Sequence, residues 1–158
     1  EKYGPTVWCH GDEAELTPSG GMVIHGRSDD TLKRGGVRMG AGEICAQVVK
    51  IPEVRAAAVI GQKIERGERM VLFVVLQDGQ ELTAELQHRI RSEVRSGISP
   101  LHVPDIILTV PALPQTQNGK LSLGAIRAVI HGREVKNVDA LRNPESLEYF
   151  RNRPELGL

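Results

Sequence analysis

The chain has 158 residues, 40% of them hydrophobic and 25% charged, which is typical of one globular domain or of one domain with an added piece. Its formal net charge is zero, which argues against nucleic acid as a partner, and no apolar run approaches the ~18–20 residues of a membrane span. Cys9 and Cys45 fit no metal-ligand spacing and no disulfide framework, so we expect reduced thiols, a cytoplasmic protein without a signal peptide, and no metal site.

The first 28 residues predict a small part of a sheet. Strand candidates lie at residues 6–9 and 22–25, with a Pro- and Gly-containing turn at residues 17–21. Two strands are not stable alone, and the sequence starts without an initiator Met in what reads as the middle of a fold. We therefore expect residues 1–28 to be the C-terminal end of a larger domain.

Residues 29–132 predict one α+β domain, in the order hairpin, helix, strand, strand, helix, strand, loop, helix. Two nearly continuous apolar runs, at residues 54–61 and 70–76, are typical of buried strands, and residues 105–110 are a third candidate, closed by Pro111. We expect a β-hairpin and a short, mostly three-stranded sheet packed by helices.

The helices follow from apolar residues at helical spacing. The first is predicted at residues 43–50, the second has Thr83 as N-cap, and the third carries Leu123 and Ile130. Residues 133–158 read as a polar C-terminal extension with one short helix, in which Asn143 is the N-cap and Pro144 the first helical residue.

The run GRSDDTLKRGGVRMG at residues 26–40 has the composition of a hinge. It holds two adjacent acids, four basic residues and four glycines between a strand and a helix. Glycine allows a positive φ and close approach of a ligand, and such polar connections absorb large changes of φ and ψ. The simpler interpretation is a charged β-hairpin with a Gly-Gly turn.

A second run, PQTQNGK at residues 114–120, places Lys120 directly after an Asn-Gly pair. Because Asn-Gly favours a tight turn, the lysine is predicted at a loop tip. Taken alone, the run predicts only a surface lysine in an ordinary hairpin.

Together the two runs resemble the C-terminal domain of the adenylate-forming acyl-CoA synthetases, the superfamily that includes the luciferases. That superfamily carries G-R-x-D-D-x-(L/I/V)-x-x-x-G-x-R followed downstream by P-x-T-x-x-G-K, and both patterns occur here in that order. The resemblance implies an ATP-dependent, AMP-forming acid–thiol ligase, with Mg²⁺-ATP and coenzyme A as substrates. It also implies a large N-terminal adenylation domain as partner, so this chain is expected to be inactive alone.

The resemblance implies roles for individual residues. Lys120 would be the catalytic lysine of adenylation, and Asp29 the hinge about which the lid domain, residues 29–132, turns between two poses. Asp12, in H-G-D where the superfamily has T-G-D, would bind the ATP ribose together with Arg27. The Gly35-Gly36 strand and Arg38 would bind coenzyme A in the thioester-forming pose.

Arg95 would meet a coenzyme A phosphate, since its guanidinium fork suits phosphate oxygens. It lies on the second predicted helix with Arg89 and Arg91, and the alternative is a solvated basic face.

Several segments look most like the acetoacetyl-CoA synthetases, one family of that superfamily. They are the runs at residues 20–29, 34–40 and 99–105 and the Asn-Pro-Glu-Ser-Leu tail at residues 143–147. The implied acid substrate is acetoacetate or a similar short acid. The alternative is a free-standing module that binds coenzyme A, a nucleotide or a protein and has no activity of its own.

Overall fold

The computed structural model describes residues 4, 6–7, 11–27, 31–34, 36–65 and 67–157. Its central sheet has three strands, β5 (Val54–Ile64), β6 (Gly67–Leu76) and β7 (Ile106–Thr109), with β6 in the middle. β5 and β6 are antiparallel, whereas β6 and β7 are parallel. The α+β class and the three predicted buried strands are confirmed, although β5 extends past its predicted end.

Both faces of this sheet are covered, which explains why β6 reads as a continuous apolar run rather than an alternating one. Met70, Leu72 and Val74 share one hydrophobic cluster, while Val71 and Phe73 belong to the cluster on the other face. Successive side chains of one strand therefore supply two separate cores.

The first core lies under two helices and a hairpin. α1 (Ala41–Val48) and α2 (Ala84–Gly97) bury residues at helical spacing, and the Thr83 hydroxyl accepts a hydrogen bond from the Leu86 N–H at 3.1 Å as the predicted N-cap. The hairpin β3 (Thr31–Arg34) and β4 (Val37–Gly40) adds Leu32 and Met39, which lie opposite each other in its register.

The second core lies under α3 (Leu123–Ile130) and the C-terminal residues. The predicted short helix is a 3₁₀ helix, Pro144–Phe150, and a further 3₁₀ turn spans Pro154–Leu156. Phe150 is fully buried, and its ring meets that of Phe73 edge to face with centroids 4.8 Å apart. A further 3₁₀ turn, Pro100–His102, precedes β7, and Val138–Ala140 precedes the tail helix.

A separate two-stranded sheet near the beginning of the chain corrects one prediction. β2 (Met22–Arg27) is present, but its partner is β1 (Asp12–Leu16), whereas Thr6 and Val7 of the predicted strand at residues 6–9 are not in a strand. The residues after Val7 in that prediction lie outside the described ranges. β1 was missed because three of its five residues are acidic, and the alternation that includes only Ala14 and Leu16 as apolar residues is too short to stand out.

Two negative findings apply to the described ranges. Within them, no helix combines the length and apolar character needed to cross a bilayer. In the same part of the chain, no three His, Cys, Asp or Glu side chains converge as they would around a metal ion.

Candidate functional site

Lys120 closes a small loop that begins at Pro114. The Thr116 N–H donates to the Lys120 carbonyl at 2.8 Å, and the Thr116 hydroxyl accepts from the Lys120 N–H at 3.2 Å. Gly119 has φ +75 and donates its N–H to the Thr116 carbonyl at 2.8 Å. Thr116 therefore closes the loop and Gly119 supplies the left-handed turn, which gives a local reason for both residues in this run.

The backbone of the loop is tied down, whereas the Lys120 side chain is exposed. Its ammonium has no hydrogen bond or ion pair with the residues described in the structure. A cation held this way on a fixed backbone is available to an anion supplied from outside this chain.

Gly36 lies between β3 and β4 rather than in a strand, which corrects the expectation of a strand at this residue. Gly36 directly precedes β4, is exposed, and has φ +81. No described atom lies within 4 Å of the position that a Cβ would take there. Gly35 itself lies outside the described residues. The simpler sequence interpretation, a charged β-hairpin, matches the β3–β4 register, and the exposed Gly36 is compatible with a binding role.

Arg38 lies on β4 opposite Lys33 and is exposed. The buried pair of Leu32 and Met39 holds the neighbouring positions of the hairpin against the core. Because side chains alternate along a strand, Arg38 occupies the outward face.

Arg34 clamps this hairpin to the chain before β7, a contact that the sequence did not predict. Its guanidinium donates to the Val103 carbonyl at 2.7 Å and to the Leu101 carbonyl at 3.2 Å, and it forms an ion pair with Asp105. The second carboxylate oxygen of Asp105 accepts from the Met70 N–H at 2.7 Å. Asp105 therefore links the hairpin to the central sheet. Both residues stand in segments that carry the resemblance, but nothing in the sequence pairs them.

Asp12 and Arg27 are brought together. They are Cα partners in the β1–β2 register, and Asp12 is half-buried. The Arg27 side chain lies outside the described part of the chain. Asp29, the predicted hinge, also lies outside the described residues.

The three arginines of α2 are in different environments. Arg89 forms an ion pair with Glu53, and its guanidinium lowers the pKa of that carboxyl. Arg91 reaches the Asp105 carbonyl at 3.4 Å. Arg95 is exposed and makes no hydrogen bond or ion pair with described residues. Arg89 and Arg91 therefore contribute to the structure, whereas the guanidinium of Arg95 is available to a ligand.

Cys45 is a free thiol on α1, half-buried against the first core. Burial raises the pKa of this thiol from 9.0 to about 11, against the opposing effect of a hydrogen bond with the Val59 backbone. Since the thiolate is the reactive form, Cys45 is a poor nucleophile at neutral pH.

Asn143 holds the predicted N-cap position, with Pro144 as the first helical residue, but its side chain does not cap the helix. Its Oδ1 instead accepts from the Gln115 N–H at 2.8 Å, and its Nδ2 donates to the Leu113 carbonyl at 3.0 Å. The Asn143 side chain therefore binds a distant segment, because Gln115 and Leu113, where the Lys120 loop begins, lie beside it. In the sequence, only the Asn-Pro-Glu-Ser run drew attention to Asn143, and that run does not indicate which residues Asn143 binds.

Comparison with known proteins identifies related chains. Residues 43–120 match the family described as AMP-binding enzyme C-terminal domain. Acetoacetyl-coenzyme A synthetase of Rhizobium meliloti (strain 1021) is 54% identical over 150 residues, which are 95% of this chain and 23% of that protein. The acetoacetyl-CoA synthetase of Caenorhabditis elegans is 43% identical over 146 residues, 90% of this chain and 21% of that one.

A solved structure extends the similarity to three dimensions. Acetoacetyl-CoA synthetase from Streptomyces lividans superposes with a TM-score of 0.77 at 38% identity, covering 92% of this chain and 22% of that one. The chain therefore spans roughly a fifth of the length of these relatives. Residues 43–120 belong to the AMP-binding enzyme C-terminal domain family, which confirms the resemblance carried by the two sequence motifs.

Proposed function

We propose that this chain is the C-terminal part of an AMP-forming acetoacetyl-CoA synthetase. Such an enzyme activates acetoacetate with ATP to an acyl-adenylate and then transfers the acyl group to coenzyme A. The observation that supports this proposal most strongly is the 54% identity, over 95% of the chain, to a protein of that name. In addition, Lys120 is exposed on a loop that is held by its own hydrogen bonds.

Lys120 serves the adenylation step. Attack of a carboxylate on the α-phosphorus of ATP develops negative charge on the non-bridging oxygens and on the new bridging oxygen. An exposed ammonium on a fixed backbone stabilises that charge electrostatically when it arrives at the phosphate. Mg²⁺ enters with the nucleotide as part of the substrate, and Asp12 and Arg27 bind the ribose hydroxyls.

The β3–β4 hairpin serves thioester formation. The two half-reactions need different groups at one carbonyl, and a lid that turns about Asp29 supplies them in sequence. In the second pose the Gly35-Gly36 pair and Arg38 contact the pantetheine arm, and Arg95 contacts a coenzyme A phosphate. Gly36 fits this role because it is exposed and has no described neighbour where a Cβ would lie.

Residues 1–28 belong to a large N-terminal adenylation domain, residues 29–132 form the lid, and residues 133–158 form a C-terminal extension. The β1–β2 hairpin supports this division because its apolar side chains are exposed: Leu16, Met22, Val23 and Ile24. Exposed apolar side chains on both faces of a two-stranded sheet are typical of surfaces that another part of the protein covers. The proposed compartment is the cytoplasm.

The test is the Lys120→Ala variant of the full-length enzyme, with each half-reaction assayed separately. We expect loss of acetoacetate-dependent ATP–pyrophosphate exchange, with thioester formation from supplied acyl-adenylate and coenzyme A retained. Lys136→Ala is the matched control, since Lys136 is also exposed and lies outside the loop. Normal pyrophosphate exchange in Lys120→Ala would refute the assigned role.

The alternative is a binding module without activity. In that case neither half-reaction would depend on Lys120, and the isolated chain would bind coenzyme A or a nucleotide.

A further inference from the structure

The Lys120 loop has few contacts of its own with the core. Pro114 is buried, but residues 117–120 are all exposed, and the hydrogen bonds around Thr116 lie within the loop. These bonds fix the shape of the loop. They do not fix where the loop stands on the domain.

A second segment, Ala140 to Asn143, fixes that position, and we call it the brace. Gln117 donates its N–H to the Ala140 carbonyl and its Nε2 to the Leu141 carbonyl, both at 3.0 Å. The Arg142 N–H donates to the Gln115 carbonyl at 2.9 Å. Thr116 and Leu141 form an antiparallel bridge. The brace therefore pairs with the loop as a short strand would.

Asn143 completes the pairing with its side chain. Its amide oxygen accepts from the Gln115 N–H and its amide nitrogen donates to the Leu113 carbonyl. Aspartate would keep the acceptor and lose the donor, and alanine would lose both. The amide is thus matched to two backbone groups at the point where the loop leaves the core.

The brace is anchored on its other side to the central sheet. Leu141, Leu147, Phe150 and Leu156 are all buried in the second core. The Leu156 carbonyl accepts from Gln62 Nε2 at 3.0 Å and from Arg69 Nη2 at 2.8 Å. The residues after the brace therefore connect it to β5 and β6, the most deeply buried strands of the domain.

We propose that the brace positions Lys120 for adenylation and that Asn143 is its positioning residue. This inference rests on the proposed role of Lys120. A catalytic ammonium acts only from the correct place, and a displacement of about 1 Å costs roughly 10²-fold in rate. Asn143 does not touch the reacting atoms, and it acts through the backbone that carries Lys120.

The test compares Asn143→Ala with Asn152→Ala in the full-length enzyme. Asn152 is exposed in the same C-terminal segment and has φ +48, so alanine there strains the segment without removing a hydrogen bond to the loop. Asn143→Ala is expected to lower kcat for pyrophosphate exchange about 10- to 100-fold. The KM for ATP and the rate of thioester formation are expected to stay within about 2-fold. Asn152→Ala should leave both rates unchanged.

Two further variants keep the test decisive. Gln117→Met removes the hydrogen bond to Leu141 from the loop side, so it serves if Asn143→Ala does not fold, and it should lower only the exchange rate. A Lys120→Ala/Asn143→Ala double variant should be no slower than Lys120→Ala, since residues that act as one unit are not additive.

The inference fails if Asn143→Ala and Gln117→Met exchange pyrophosphate at the normal rate while Lys120→Ala does not. It also fails if both half-reactions fall together in proportion to lost thermal stability, which is the signature of a purely structural residue. If Lys120→Ala itself exchanges normally, the proposed function is refuted, and the brace then has no catalytic group to position.

Discussion

Phe150→Ala should destabilise the domain strongly, although Phe150 lies in the C-terminal extension. The ring is fully buried and packs edge to face on Phe73 at the centre of β6. Replacing a buried Phe by Ala costs about 3–5 kcal/mol, and an aromatic pair of this geometry adds ~0.5–1.5 kcal/mol. We therefore expect a loss of about 4 kcal/mol in the free energy of unfolding. That is a large part of the 5–15 kcal/mol typical of a whole domain.

The assay is urea unfolding of the 158-residue chain followed by circular dichroism. The neighbouring Tyr149 is 37% exposed, so Tyr149→Ala is the matched control and should cost about 1 kcal/mol or less. The midpoint should fall for Phe150→Ala with an unchanged slope if the tail unfolds together with the sheet. A cost below about 1 kcal/mol, equal to that of the control, would refute the packing of the tail on the sheet.

Three other predictions follow from the site. In a Cys9→Ser background, Cys45 in the folded chain should react with iodoacetamide about 100-fold more slowly at pH 8 than in urea, because burial raises its pKa from 9.0 to about 11. Gly36→Leu in the full-length enzyme should block thioester formation and spare adenylation, since the bulk would enter the space proposed for the thiol arm. The chain by itself should show no acetoacetate- and coenzyme A-dependent release of AMP from ATP.

Each of the three has its own check. The Cys45 rate in the folded chain should keep rising to pH about 11 rather than levelling near pH 9, and equal folded and unfolded rates would contradict the burial. Gly36→Ala carries the same strain at φ +81 without the bulk, so an equal loss in both variants would point to backbone strain. Turnover by the chain that Lys120→Ala abolishes would mean that these residues hold a complete site.

Much of the central fold could be predicted because each buried element has a local signature. Leu86, Ile90 and Val94 recur every fourth residue, and Thr83 precedes them as a cap. β6 is apolar at nearly every position because both of its faces are buried. By contrast, β1 escaped prediction because three of its five residues are acidic, so its short Glu-Ala-Glu-Leu alternation carries little apolar signal.

The candidate site also has a part that the sequence predicts and a part that it does not. The hydrogen bonds of the Lys120 loop are local, since they join Thr116 to Gly119 and Lys120. The motif itself therefore predicts the shape of the loop. The clamp of Arg34 on Asp105 joins residues 71 positions apart, and sequence reading alone does not pair such residues. Asn143 shows how a local rule misleads, because a residue in the right place for an N-cap gives its side chain to a different segment.

The sequence by itself determined the family resemblance and the order of the buried elements, and it placed Lys120 after a tight turn, since motifs, turns and apolar periodicity depend on neighbouring residues. Only the tertiary structure decided that Asp12 lies opposite Arg27, that the extension packs on the sheet, and that Asn143 holds the start of the Lys120 loop. These contacts join distant parts of the chain. They are specified by the geometry of close packing and of shared hydrogen bonds, which no local pattern encodes.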